Sequence, residues 1–225
     1  MICDNIKIIL ERIESIKNKV GQKNDVKLVA VAKTVSVNEI REAISCGITD
    51  ISESRIHEAE EKNYKLQITN YKFNLHMIGH LQTNKVKKAV ELFDLIQSVD
   101  SVHLLEEINK QAEKIKKIQE CFVEIKISEE DTKYGLDPSE LKTFLDKARE
   151  FKNVKITGLM TIAPYFDNPE LARPYFRRAY KYFSLLSSLF SLSYLSMGMT
   201  NDFEVAIEEG SNMVRIGTGI FGDRI

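Results

Sequence analysis

The sequence predicts one α/β domain, a closed (β/α)8 barrel of TIM type preceded by an extra helix, and three observations carry that expectation. Short apolar segments recur eight times along the chain, and each of the first seven is followed by a stretch with helical periodicity. Eight parallel strands are the number that closes a sheet without leaving an exposed edge. No Pro/Gly-rich hinge, low-complexity run or longer repeat interrupts the alternation, so residues 1–225 are assigned to a single domain, and 43% hydrophobic residues suffice for one core. An open doubly wound sheet is the competing arrangement.

The elements follow in order. Residues 1–20 place Ile6, Ile9, Leu10, Ile13 and Ile16 on one helical face among charges, unlike the unbroken apolar core of an export signal. KLVAVAK (27–33) reads as the first strand, and Ser36 with Glu39 has the spacing of a capping box that opens a helix. ITDISES precedes a helix from about Arg55, NLHMIG a helix over TNKVKKAV, and LIQSV a helix from about Ser101. CFVEIKI (121–127) leads through the loop SEEDTKYGL to a helix with Asp137 as cap, Pro138 at its first position and Glu140 behind. ITGLMTI precedes a helix from about Asn168, YLSMG a helix over DFEVAIEEG, and MVRIG ends the series.

Composition excludes several classes. Lys+Arg at 32 against Asp+Glu at 33 leaves a formal charge of -1, so no overall positive field recruits nucleic acid or an anionic membrane. Cys3, Cys46 and Cys121 are odd in number and far apart, which reads as reduced thiols of a cytoplasmic protein and as no zinc set. The uncharged stretch from Tyr182 to Asn201 is long enough to span a bilayer. Six serines interrupt it, however, and Leu185, Leu186, Leu189 and Phe190 share one face, which reads as a buried helix followed by a strand.

In a barrel, chemistry sits where strands exit at their C-terminal ends. Lys33 alternates with Val29 and Val31, so it points to the mouth if they fill the interior. Partial desolvation there would favour a free amine able to attack an aldehyde, although position alone favours an ordinary solvated lysine at a strand end. Ser196 and Gly198 leave the seventh strand, and Gly217, Thr218 and Gly219 the eighth, where barrels commonly seat a phosphate; tight turns require the same small residues. Arg215 should face inward, either beside a ligand ring or paired with an inward Glu53 or Glu124. The spacing G-x-G-x-x-G of Gly217, Gly219 and Gly222 is a decoy, since a dinucleotide unit needs a helix and second strand after it. His76 and His80 flank Gly79 at a strand exit and share no helical face, so no metal is expected. Lys85, Lys87 and Lys88 read as a solvated helix face.

Several segments in this order resemble the pyridoxal phosphate homeostasis protein family, whose fold is that of the alanine racemase N-terminal domain, the type III pyridoxal phosphate fold. They are LVAVAKT, HMIGHLQTNK, KYG (Lys133 to Gly135), GLMTIAP, LSMGMTNDFEVAI and VRIGTGIFGDR (Val214 to Arg224), spread over nearly the whole chain. The resemblance implies pyridoxal 5'-phosphate held covalently as an internal aldimine on Lys33, with Ser196, Gly217 and Thr218 at the phosphate and Arg215 at the pyridine nitrogen. Met197 and His76 complete the implied cofactor-binding set. Where the family's second strand usually ends Gly-Glu-Asn-Arg, this chain has Ser52-Glu53-Ser54-Arg55, which leaves Ser54 to replace the asparagine contact through water.

Related racemases take one base from the lysine and a second from a tyrosine on another domain of a partner chain. This sequence ends about eight residues after its last strand and offers no obvious second base, so the expectation is a monomeric, cytoplasmic carrier that buffers or delivers the cofactor to client enzymes. A weak amino-acid racemase is the alternative.

Overall fold

The computed structural model describes residues 1–67, 72–128 and 134–222; Lys133 and Arg224, part of the motifs quoted above, lie outside the described residues. All eight expected strands form, and they close into a parallel barrel in chain order, with the last strand paired to the first. The order is α1 (Ile2–Val20), β1 (Lys27–Val31), α2 (Val37–Ser45), β2 (Asp50–Glu53), α3 (Ile56–Gln67), β3 (Asn74–Met77), α4 (Val86–Leu92), β4 (Leu95–Val99) and α5 (Val102–Lys114). It continues with β5 (Gln119–Glu124), α6 (Leu141–Ala148), β6 (Val154–Met160), α7 (Arg173–Phe190), β7 (Tyr194–Ser196), α8 (Phe203–Glu208), β8 (Met213–Ile216) and α9 (Thr218–Phe221).

Strand alternation sorts the core into two regions. Val29, Leu95, Phe122, Met160 and Met213 pack together inside the barrel. Their neighbours Leu28, Ala30, Ile96, Val123, Leu159 and Val214 join the helices in the outer layer. The capping box forms: Ser36 Oγ accepts from the Glu39 N–H at 3.3 Å, and the Glu39 carboxylate accepts from the Ser36 N–H at 2.9 Å. Asp137 caps as expected, accepting from the Ser139 N–H at 2.8 Å, but the chain first makes a 3-10 turn over Pro138–Glu140 before α6 begins.

Three sequence expectations need correction. In α1 the buried stripe is Ile2, Ile6, Ile9 and Ile13, a narrower face than expected, and Leu10 is 46% exposed. In α7 only Phe176 and Ala179 are buried, while Leu185 and Leu189 are 65% and 52% exposed, so the end of this helix lies on the surface. No described helix is long and apolar enough to cross a membrane.

The third correction concerns the cysteines. Cys3, at the start of α1, and Cys46, the C-cap of α2, form a disulfide with their Cα atoms 5.4 Å apart. Sequence distance concealed the pair because packing of α1 against α2 brings together positions 43 residues apart. Cys121 remains a free, buried thiol, and burial pushes its pKa up.

Candidate functional site

Lys33 lies just past the end of β1, which stops at Val31 because the last ladder bond runs from the Ala32 N–H to the Ser52 carbonyl (2.9 Å). The chain then turns: the Val35 N–H bonds the Ala32 carbonyl at 3.0 Å, and Thr34 adopts φ 64. Lys33 is consequently exposed and not desolvated as its alternation with Val29 and Val31 had suggested, and its amine has no partner among the described residues. The barrel register aligns Ala30 with Ile216, so the exit of β1 adjoins the exit of β8, where Gly217 and Thr218 follow.

Arg215 faces inward from β8, buried and without a direct ion pair among the described residues. Its Nη1 donates to Ser196 Oγ at 2.6 Å and its Nη2 to the Thr161 carbonyl at 2.8 Å. Of the two glutamates considered as partners, Glu53 points outward and meets Lys62 at 2.6 Å, while Glu124 acts on Arg215 only through its charge. Burial lowers the Arg215 pKa to about 10, against the opposing influence of Glu124 and Asp202, so the guanidinium keeps its charge at neutral pH.

Behind Arg215 a chain of hydrogen bonds crosses the barrel interior. Ser196 Oγ donates to Gln97 Oε1 at 2.7 Å, Gln97 Nε2 donates to His76 Nδ1 at 3.0 Å, and His76 Nε2 lies 3.1 Å from Asp50 Oδ1. Asp50 also accepts from Thr49 Oγ1 at 2.7 Å, Asn74 Nδ2 at 3.2 Å and Lys27 Nζ at 3.4 Å. Burial alone would raise this carboxyl, but the hydrogen bonds from His76 and Thr49 and the charges of His76 and Lys27 hold it well below the usual range. Each buried polar group is thus paired, which fixes the arginine from behind.

Two of the residues expected around the ligand belong to this chain of hydrogen bonds, and a third lies outside it. The Ser196 hydroxyl donates to Gln97 and accepts from Arg215, so it supports the arginine. His76 is likewise occupied on both ring nitrogens. The Met197 side chain turns outward into the layer under the helices. Alternation explains all three: Ser196 and His76 occupy inward positions below the mouth, and Met197 the next outward one.

The exits of β7 and β8 do converge. Thr200, which sequence reasoning missed, sits between them: its Oγ1 lies 3.2 Å from Thr218 Oγ1 and accepts from the Gly219 N–H at 3.2 Å. Gly198 takes φ 95, and a Cβ there would lie 2.6 Å from that of Ala206, so only glycine fits the turn. At the exits of β2 and β3, Ser54 is half-buried, and its carbonyl oxygen would lie 2.3 Å from a Cβ on Gly79. His80 stacks on Tyr134 with ring centres 3.7 Å apart, and its Nδ1 lies 3.5 Å from Asp100. Among the described residues, no group of three or more His, Cys, Asp or Glu side chains is placed to hold a metal ion.

Fold and site together define a (β/α)8 barrel with a lysine at its first strand exit that has no partner among the described residues, a buried arginine on its last strand, and a Gly/Thr-lined exit on that last strand, which pairs with the first. Residues 5–225 match the family model described as alanine racemase, N-terminal domain. The chain is 42% identical over 225 residues to the pyridoxal phosphate homeostasis protein of Aquifex aeolicus, covering 99% of this chain and 98% of that one. It is 32% identical over 231 residues to the protein of that name from Escherichia coli K12, covering 99% and 97%. The solved structure of PipY from Synechococcus elongatus PCC7942 with PLP bound superposes with a TM-score of 0.84 at 32% identity, over 99% of this chain and all of that one. Alanine racemase of Clostridium difficile 630 shares the fold at 16% identity, with a TM-score of 0.74 over 98% of this chain and 57% of its own. The chain belongs to the pyridoxal phosphate homeostasis protein family, built on the alanine racemase N-terminal domain.

Proposed function

We propose that this protein binds pyridoxal 5'-phosphate covalently through Lys33 and serves in the cytoplasm as a carrier that buffers the cofactor or delivers it to client enzymes. The observation that supports the reading is the pairing of β1 with β8, which brings the strand exit that leads to Lys33 next to the exit that leads from Arg215 into Gly217 and Thr218. The donor set fits the group: a primary amine without a protein partner for the aldehyde, the Thr218 hydroxyl and the backbone at Gly217 for the phosphate, and a guanidinium for the ring nitrogen. When bound, the cofactor supplies an electrophilic aldehyde and a pyridine ring that can act as an electron sink.

The chain's own residues favour holding over catalysis. Arg215 uses two of its donors on Ser196 and Thr161, leaving others to face the ring, and a permanent cation there opposes ring protonation and weakens the electron sink. In this reading Ser196, Gln97 and His76 act by holding Arg215, Ser54 borders the ring through water, and Met197 contributes only through its backbone. The 225 residues act as one domain and as a monomer.

The test is the visible spectrum of protein mixed with pyridoxal phosphate and desalted, for wild type and Lys33→Ala, with amino-acid stereo-inversion assayed on the same samples. Yellow colour retained by wild type alone, without inversion, supports the carrier. No retained colour, or rapid inversion that depends on Lys33, contradicts it.

A further inference from the structure

The end of β5 and the start of the segment before α6 are stitched into a small frame at the barrel mouth. The Leu136 N–H bonds the Glu124 carbonyl at 2.8 Å, and the Lys126 N–H bonds the Leu136 carbonyl at 2.9 Å. Gly135 takes φ 125, where a Cβ would stand 2.8 Å from the Lys126 nitrogen, so the close approach requires glycine. Thr161 Oγ1 secures the frame from β6 by donating to the Ile125 carbonyl at 2.9 Å. Between these walls lies a cavity of about 180 Å³ bordered by Glu124, Lys126, Ser128, Tyr134 and Ile162.

Two polar side chains on this cavity have no hydrogen-bond partner among the described residues. Glu124 is 8% exposed, and its carboxyl oxygens accept no hydrogen bond from any described residue. Ser128 is 6% exposed, and its buried Oγ is also unpaired. Leaving a buried polar atom such as Ser128 Oγ unsatisfied is costly, and native structures rarely do so without a ligand or water to complete the site. Arg215 does not fill the need, because its hydrogen bonds go to Ser196 and Thr161.

We propose that this cavity binds the primary ammonium group of a small amine or amino acid, with Glu124 as its counter-charge and Ser128 as a second polar contact. A carboxylate only accepts hydrogen bonds, and an ammonium brings three donors and the opposite charge. Anionic ligands are disfavoured by Glu124 and by Asp100, which already acts on it as a like charge. The room is right for a few-atom ligand, since the volume equals that of about six waters. Ile162 and Tyr134 offer apolar walls to a short carbon chain. Burial pushes the Glu124 carboxyl up to about 7, Arg215 opposing and Asp100 adding, so a bound cation would hold it ionised.

None of these side chains was assigned to pyridoxal phosphate, and the link to the cofactor reading is the charge of Glu124 acting on Arg215. Isothermal titration of cofactor-free protein with L-alanine and with ethylammonium, at pH 8, tests it in wild type, Glu124→Gln and Ser128→Ala. The expected result is saturable binding of at least one of the two, weakened about tenfold or more by Glu124→Gln and less by Ser128→Ala. Tighter alanine assigns the pocket to amino acids, and tighter ethylammonium to simple amines. No saturable binding of either, or equal binding in Glu124→Gln, overturns the proposal. Glu124→Gln keeps the shape of the side chain, and a urea melt on the same sample shows whether the variant is folded. Pyridoxal phosphate binding measured in parallel reports separately on the cofactor reading.

Discussion

Glu124 makes the barrel mouth sensitive to pH in a direction that can be measured. Burial raises its carboxyl from 4.5 to about 7, so between these values the folded protein holds a proton that the unfolded chain has released. Stability then falls as pH rises through that window, because the native state binds the proton more tightly than the denatured one. At about 1.4 kcal/mol per pH unit, the rise corresponds to a loss on the order of 3 kcal/mol above pH 7. Glu124→Gln removes the titrating group while keeping a neutral side chain of the same shape. Urea unfolding of both proteins from pH 4 to pH 8.5 should give similar stabilities at the acid end and a variant that is progressively more stable above about pH 5. Curves that stay parallel across this range would refute the claim that Glu124 is buried without a partner, and a wild type that gains on the variant with rising pH would mean that an unrecognised cation pairs with it.

Three further outcomes follow from other parts of the structure. Gln97→Leu removes the acceptor of Ser196 and the donor to His76, which should cost roughly 1–3 kcal/mol for each buried group left unpaired, read by denaturant unfolding. Gly79→Ala should lower stability by about 1–3 kcal/mol, because the new Cβ would sit 2.3 Å from the Ser54 carbonyl oxygen; an unchanged midpoint would contradict that packing. Alkylation of denatured protein should label one cysteine without reductant and three with it, and Cys3→Ser should cost up to about 4 kcal/mol by the loop-entropy argument for a 43-residue separation.

The barrel was legible because its signals are local. Each strand announces itself by a short apolar run, and the Ser36–Glu39 box marks a helix start that the structure reproduces bond for bond. The interior polar chain was not legible, because Asp50, His76, Gln97 and Ser196 lie on four different strands and meet only when the sheet closes. Gln97 left one trace, a polar residue at the centre of the strand segment LIQSV, where nothing local tells which strands it will face. Lys33 follows the first strand as the sequence implies, yet it is exposed and not partly desolvated, because β1 stops two residues earlier than its apolar run. The Cys3–Cys46 pair was missed for a similar reason: helix packing, and no local pattern, brings the two sulfurs together.

The central claim is that Lys33 is the residue that takes the cofactor. Its most direct test is borohydride reduction of protein mixed with pyridoxal phosphate, followed by mass spectrometry of the proteolytic peptides. The account predicts a stable adduct at near-stoichiometric yield on the peptide carrying Lys33, and loss of that yield in Lys33→Ala. An adduct spread over surface lysines, or one retained at full yield in Lys33→Ala, would contradict it.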